Sequence, residues 1–259
     1  MIDTHAHLHT PDFAADRERV LTRSFAMGLA AILEVSIDSA SWPAVTSLAA
    51  SDPRLFGAVG IHPHEARPSA LPALSELPRA AAHDDVVAIG ETGMDRVRSR
   101  TRCEDQRLLF RAQVGMAREL GLPLVIHCRE AFGDLLPILD AEGRGQVRGV
   151  FHCFTGDARD AAAVIDRGFA IGLAGGVTYD PKRWRMILRD VPHEALLLET
   201  DAPFLKPAPQ RRGRNEPAHV YETARVVARL IGVTVRELER ITDRNAVRLF
   251  RLPLPGRDG

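Results

Sequence analysis

Chemistry is first suggested at the start of the chain, Ile2-Asp3-Thr4-His5-Ala6-His7, where an apolar residue leads into two histidines one residue apart. In an extended segment residues i and i+2 point to the same side, so the two imidazoles can aim at one point. A metal ion could sit there, although two hydrogen-bonded histidines would satisfy so short a stretch equally well. Seven of the ten histidines, His5, His7, His9, His62, His64, His127 and His152, fall at or just past the end of a short apolar run. Two acids hold equivalent places, Glu91 in Ile89-Gly90-Glu91-Thr92-Gly93 and Asp201 in Leu198-Glu199-Thr200-Asp201-Ala202-Pro203.

The elements that must position these residues repeat along the chain. Apolar or small-residue runs occur at 2–5, 30–37, 55–61, 86–89, 123–126, 149–151, 169–173 and 195–198. Most are near-continuous rather than alternating, the pattern of strands covered on both faces. Helical punctuation lies between them. Residues 104–120 place Leu109, Ala112, Met116 and Leu120 on one face and stop at Gly121. Asn215 with Pro217 reads as the N-cap and first turn of another helix, and Thr234-Val235-Arg236-Glu237 as a capping box for the last. Strand then helix, eight times, predicts a TIM-like (β/α)8 barrel of parallel strands over residues 1–250, with an open doubly wound sheet as the runner-up. Residues 251–259 read as a loose tail.

A barrel gathers its strand ends at one C-terminal mouth, where active sites of this fold lie. Imidazoles and carboxylates suit Zn²⁺ or Mn²⁺, whereas Mg²⁺ alone favours oxygen donors. Four histidines and two acids exceed one tetrahedral site. A carboxylate can place one oxygen on each of two ions, so Glu91 is the natural bridge. His5, His7 and Asp201 are assigned to one ion, His127 and His152 to the other. Plainer readings exist for each: a helix N-cap for Asp201, a buried ion pair for Glu91, core histidines for His127 and His152. Cys128 and Cys153, next to two of these histidines, read as small packing residues turned away by strand alternation.

Composition bounds the class. Hydrophobic residues make up 45% and charged residues 26%, as in an ordinary soluble globular protein. Thirty-four basic and thirty-four acidic residues cancel, so an anionic partner must be held by local patches rather than by a global field. Three cysteines form no disulfide framework, which fits a reducing, cytoplasmic setting, and no apolar run approaches the length of a membrane span. No obligate protein partner is evident.

The blocks Asp3-Thr4-His5-Ala6-His7, Gly60-Ile61-His62-Pro63-His64, Gly90-Glu91-Thr92-Gly93-Met94-Asp95, Pro123-Leu124-Val125-Ile126-His127-Cys128-Arg129, His152-Cys153-Phe154-Thr155-Gly156, Glu199-Thr200-Asp201-Ala202-Pro203 and Arg214-Asn215-Glu216-Pro217 resemble, in this order, the TatD family of metal-dependent hydrolases. The resemblance implies one to three divalent metals held at His5, His7, Glu91, His127, His152 and Asp201, a phosphate contact at His62, and hydrolysis of single-stranded DNA or related nucleic acid, often from the 3′ end. Two departures bear on substrate choice. Arg96 follows Asp95 where the family often has tyrosine, and Phe204-Leu205-Lys206-Pro207 stands where Tyr-Leu-Ala-Pro is common.

The expectation is therefore a two-metal phosphodiesterase using Zn²⁺, Mn²⁺ or Mg²⁺, with room for a third ion. Asp201 would act as general base, and His62, His64, Arg129 and Arg214 would hold substrate phosphate. Two basic clusters, Arg96, Arg98, Arg100 and Arg102, and Lys206, Arg211, Arg212 and Arg214, follow the fourth and eighth strands. Phe154, Tyr179, Trp184 and Phe204 could stack on unpaired bases. The alternatives are an amidohydrolase or lactonase on the same barrel, and a non-catalytic metal or nucleic-acid binding protein.

Overall fold

The computed structural model describes residues 1–208 and 213–254. Eight strands pair in parallel in sequence order, β1 (Ile2–Ala6), β2 (Ala31–Val35), β3 (Leu55–Val59), β4 (Val86–Asp95), β5 (Leu124–Arg129), β6 (Gly149–Phe151), β7 (Ala170–Leu173) and β8 (Leu196–Leu198). Between them run α1 (Arg17–Ala26), α2 (Trp42–Ala49), the short α3 (Ala70–Ala73) and α4 (Leu77–Ala81), α5 (Cys103–Leu120), α6 (Phe132–Gly143), α7 (Ala158–Ile165) and α8 (Pro181–Leu188), and after β8 come α9 (Val220–Ile231) and α10 (Val235–Phe250). This is the expected (β/α)8 barrel. Leu33, Val35, Phe56, Ala58, Val125, Val150 and Leu197 form one buried cluster with Phe250 of α10, while Ile32, Leu55, Ile126, Phe151 and Leu196 pack with the helices. Alternate strand residues thus bury against opposite layers, which is why the strands read as apolar runs.

The barrel closes through a short seam of backbone and side-chain hydrogen bonds rather than a full ladder. A single bridge joins Ala6 to Ala202; the Asp201 N–H donates to His5 O at 2.9 Å and the His7 N–H to Ala202 O at 2.8 Å. Behind it the buried Asp3 accepts from the Thr200 hydroxyl at 2.6 Å and the Thr200 N–H at 2.8 Å. The first and last strands are locked in register where His5, His7 and Asp201 emerge.

Strand β4 continues past Ile89 to Asp95, further than its apolar run, and its register shifts between Ile89 and Thr92. Gly93 permits the close approach to β5: its φ is +136°, and a Cβ there would lie 1.9 Å from His127 O. Helix α5 braces this extension with buried polar groups. Gln113 Nε2 donates to Ile61 O at 3.0 Å and Thr92 Oγ1 at 2.7 Å, and Gln106 Oε1 accepts from the Asp95 N–H at 2.9 Å. The buried face of α5 is consequently Gln106, Leu109, Phe110, Gln113, Val114 and Ala117, rotated from the expected one, and Leu120 is exposed.

Two other expectations are corrected. Asn215 is no helix N-cap: wholly buried, it donates from Nδ2 to Thr200 O at 2.8 Å and Phe204 O at 2.7 Å, bracing the loop after β8, while Glu216 and His219 cap the following turns. The segment after α10 starts packed, with Leu252 buried in the inner cluster. Arg211, Arg212 and residues 255–259 lie outside the described residues. The Thr234 to Glu237 capping box is present.

Replacing Asn215 by alanine strands two buried carbonyls, and we expect a loss of about 2 kcal/mol or more. Urea unfolding should show a lower midpoint at unchanged slope; an unchanged midpoint contradicts the bracing role.

Candidate metal centre

Each side chain is delivered by a strand end. His5 lies on β1 and His7 one residue beyond it, Glu91 within β4, His127 on β5, His152 directly after β6, and Asp201 in the loop after β8. His5, His7, Glu91, His152 and Asp201 are buried, and His127 is half-buried. Glu91 sits at the centre with its two oxygens facing different partners. Oε2 is 3.4 Å from His5 Nε2 and 3.6 Å from His7 Nε2. Oε1 is 2.6 Å from His152 Nε2, 2.8 Å from His127 Nδ1 and 3.3 Å from His62 Nε2. Asp201 Oδ1 stands 3.4 Å from His7 Nε2 and 3.7 Å from His5 Nε2.

The donor set fits divalent metal. Bonds of about 2.0–2.1 Å in a tetrahedral site put neighbouring donors roughly 3.3 Å apart, and His5 Nε2 to His7 Nε2 is 3.1 Å, His127 Nδ1 to His152 Nε2 3.4 Å. His5 with His7 and Glu91, and Glu91 with His127 and His152, each bring three donor atoms close enough for one ion, and Glu91 belongs to both groups. Asp201 also groups with His5 and His152, so it borders both halves, and His62, His64 and His127 make a further group.

Neighbouring groups aim the rings. His7 Nδ1 faces Val35 O at 2.7 Å, which turns Nε2 to the centre. His127 is reversed: Asp95 Oδ2 holds its Nε2 at 3.2 Å, leaving Nδ1 for Glu91. Asp95 also meets His64 Nε2 at 2.9 Å and accepts from the Val97 and Arg98 N–H groups. His62 Nδ1 accepts from the His64 N–H at 3.1 Å, so its Nε2 carries the proton and is a donor. Behind His152, Glu199 accepts from the Cys153 N–H and stands 3.7 Å from His152 Nδ1; a Cβ on Gly172 would lie 2.3 Å from this carboxylate. Glu34 clamps the turn after β1, accepting from the Leu8 and His9 N–H groups and meeting His9 Nδ1 at 2.5 Å. Sequence reasoning gave Asp95, Glu199 and Glu34 no role. The first two lie inside the recognised blocks, but nothing in a linear pattern says which histidine an acid will hold.

Without metal, protons balance the charge. Burial resists ionisation of Glu91, yet the charge of His152 and the hydrogen bonds from His127 and His152 outweigh it and hold the carboxyl well below the usual range. Burial likewise opposes a charged His7, but the Asp201 hydrogen bond and charge carry it up to about 9. For His127 burial is outweighed by hydrogen bonds to Asp95 and Glu91, and it too rises to about 9. Burial, with the charge of His152, pushes His5 down to about 3.

The cavity above this cluster has a volume of about 620 Å³. His62, His64, Arg98 and Arg129 line it, and Arg183 joins them unforeseen, its guanidinium donating to Thr155 O and Gly156 O. The structure does not bring Arg214 there. Its guanidinium lies over Phe13 and pairs with Asp16 at 2.6 Å and Glu216 at 3.4 Å, anchoring the loop after β8 to the start of α1. Arg96 is taken up by Asp134. Cys128 and Cys153 do border the cavity, contrary to the alternation argument. Burial pushes the Cys128 thiol up to about 12 and Cys153 well above the ordinary value, so both stay protonated. No metal-capable group among the described residues includes a cysteine. Phe154 and Trp184 are buried, whereas Tyr179 and Phe204 are exposed.

A barrel mouth of this construction is that of a metal-dependent hydrolase. Comparison with known proteins narrows the class: the chain belongs to the TatD related DNase family, whose model matches residues 2–251. It is similar to the metal-dependent hydrolase YabD of Bacillus subtilis, at 36% identity over 97% of this chain and 99% of the relative. It is also similar to the 3′-5′ ssDNA/RNA exonuclease TatD of Pantoea ananatis, at 36% identity over 97% and 100%. Among solved structures, YJJV, a TatD homolog from Escherichia coli K12, has a TM-score of 0.90 at 28% identity, covering 98% of each chain. No helix among the described residues is long and apolar enough to cross a membrane.

Coordination needs the lone pairs that protons occupy on His7 and His127 at pH 7, since both rings titrate near 9. Loading the metal-free protein with Zn²⁺ in weak buffer at pH 7 should therefore release protons, and apparent affinity should rise with pH up to about 9. Binding without proton release contradicts the assignment of these two rings.

Proposed function

We propose that the protein hydrolyses phosphodiester bonds of single-stranded DNA or related nucleic acid, from the 3′ end, with two divalent ions sharing Glu91. The observation that carries this reading is the division of the Glu91 carboxylate, Oε2 toward His5 and His7 and Oε1 toward His127 and His152. Zn²⁺, Mn²⁺ or Mg²⁺ held there would supply Lewis-acid charge on both sides of a phosphate and an activated water. Asp201, which borders both halves, would accept the proton of the attacking water. The His62 Nε2–H is a neutral donor for a non-bridging phosphate oxygen, and Arg129 and His64 line the same wall. Arg214 is left out of the phosphate site because its charge is already paired. The cavity falls within the range of about 300–1,000 Å³ typical of small-ligand sites, which suits the end of a strand rather than a duplex. The name of the Pantoea ananatis relative supports the same substrate class.

The alternative of an amidohydrolase-type centre bridged by a modified lysine finds no residue. The chain has only two lysines, Lys182 and Lys206, neither of them on a barrel strand.

Incubation with labelled single-stranded DNA and Mn²⁺ or Mg²⁺ should release nucleotides. Glu91→Gln keeps the shape but offers one acceptor oxygen, so bound metal should fall from two ions to one or none. The rate should fall about a thousandfold or more, equivalent to roughly 4 kcal/mol of transition-state stabilisation. Full metal content and activity in this variant would overturn the bridge; no turnover by the wild type would overturn the phosphodiesterase reading.

A further inference from the structure

The mouth of the barrel is two-sided. Loops and strand ends after β3, β4 and β5 bring His64, Arg98 and Arg129 to the cavity, and the segments after β7 and β8 bring Val177, Trp184, Phe204 and Leu205, together with Arg183, whose guanidinium is taken up by Thr155 O and Gly156 O. Because the strands run in sequence order around the barrel, the cationic wall and the apolar wall face each other across the Glu91 cluster.

Phe204 differs from the rest of its wall. Trp184 and Val177 are buried, at 4% and 1% exposure, whereas Phe204 is 52% exposed. A single exposed apolar residue means little by itself. This one, however, stands on the cavity wall with its backbone pinned on both sides: its N–H donates to Asp201 O at 2.7 Å and its carbonyl accepts from Asn215 Nδ2 at 2.7 Å. Its ring centroid lies 6.0 Å from that of His7, edge to face, which sets the exposed aromatic surface directly beside the candidate ligands. A half-exposed ring on a pinned backbone, lining the cavity three residues after Asp201 and across from Arg98 and Arg129, matches the two chemistries of a nucleotide, an apolar flat base and an anionic phosphate.

We propose that Phe204 is the stacking platform for an unpaired nucleobase adjoining the scissile phosphate, with Arg98 and Arg129 holding backbone phosphate across the mouth. The inference rests on the phosphodiesterase reading and deepens it by assigning base recognition to one wall and charge recognition to the other. A base inside a duplex is stacked on both faces and paired at its edge, so it must be unpaired and unstacked before it can lie on this ring. The platform thereby selects single strands.

The test compares oligothymidylate with a fully abasic strand of equal length, which keeps the phosphates and lacks the bases. Binding is read by fluorescence anisotropy on phosphorothioate versions that resist hydrolysis, and cleavage on ordinary strands, both with metal-loaded protein. Wild type should prefer the base-bearing strand about 5- to 150-fold, the range expected for one stacked base. Phe204→Ala should erase that preference and Phe204→Trp should keep it. An equal preference in wild type and Phe204→Ala, or none in wild type, overturns the platform. A binding preference that Phe204→Ala removes, without any cleavage, upholds the platform and overturns the phosphodiesterase reading instead.

Discussion

A carboxylate buried on the floor of a barrel must be met by positive charge, and the rest of this structure follows from how Glu91 meets it. Only 2% of Glu91 is exposed, and leaving such a group ionised without partners costs several kcal/mol or more. Its oxygens find imidazole nitrogens from β1, β5 and the ends of β3 and β6. Four strands must therefore arrive in one register for one side chain to be tolerated. The backbone beneath is fixed with equal care. The Glu91 N–H donates to Ser36 O at 3.1 Å, and the Ser36 hydroxyl accepts from the Gly60 N–H at 2.8 Å, tying β2, β3 and β4 together at the level of the site.

Around this centre the polar groups form a graded shell. Val35 O and Asp95 hold His7 and His127 in opposite tautomers, which is why one ring offers Nε2 and the other Nδ1. Asp95 in turn is held by Gln106 and by the loop that carries Arg98, so the orientation of His127 is connected to the cationic wall of the mouth. On the far side Asp3, Thr200 and Asn215 fix the loop that carries Asp201 and Phe204. The candidate ligands and the two walls of the mouth thus share supports, and a change far from them can still misplace them.

The strands were legible in the sequence because both faces of each are buried, and the residues that gather at the mouth because histidines and acids stood at run ends. What escaped was polar and non-local. The extension of β4 from Gly90 to Asp95 carries Glu91, Thr92 and Asp95, which an apolar pattern cannot register; its partners Gln106 and Gln113 look like surface residues of α5 until folding brings them under the strand. Arg214 reads as a phosphate holder only while its counterion is out of view, since Asp16 is separated from it by 198 residues of chain. Cys153 escapes the alternation of strand residues because, at φ +42°, it has left regular strand geometry. Family resemblance supplied the candidate ligands together as a set, but not the acids that aim them.

The central claim is that one carboxylate serves two ions. Anomalous diffraction from crystals grown with Zn²⁺ tests it most directly. The account predicts two metal peaks flanking Glu91, one among His5, His7 and Oε2, the other among His127, His152 and Oε1. A single peak, or two peaks of which either lacks Glu91, would contradict it.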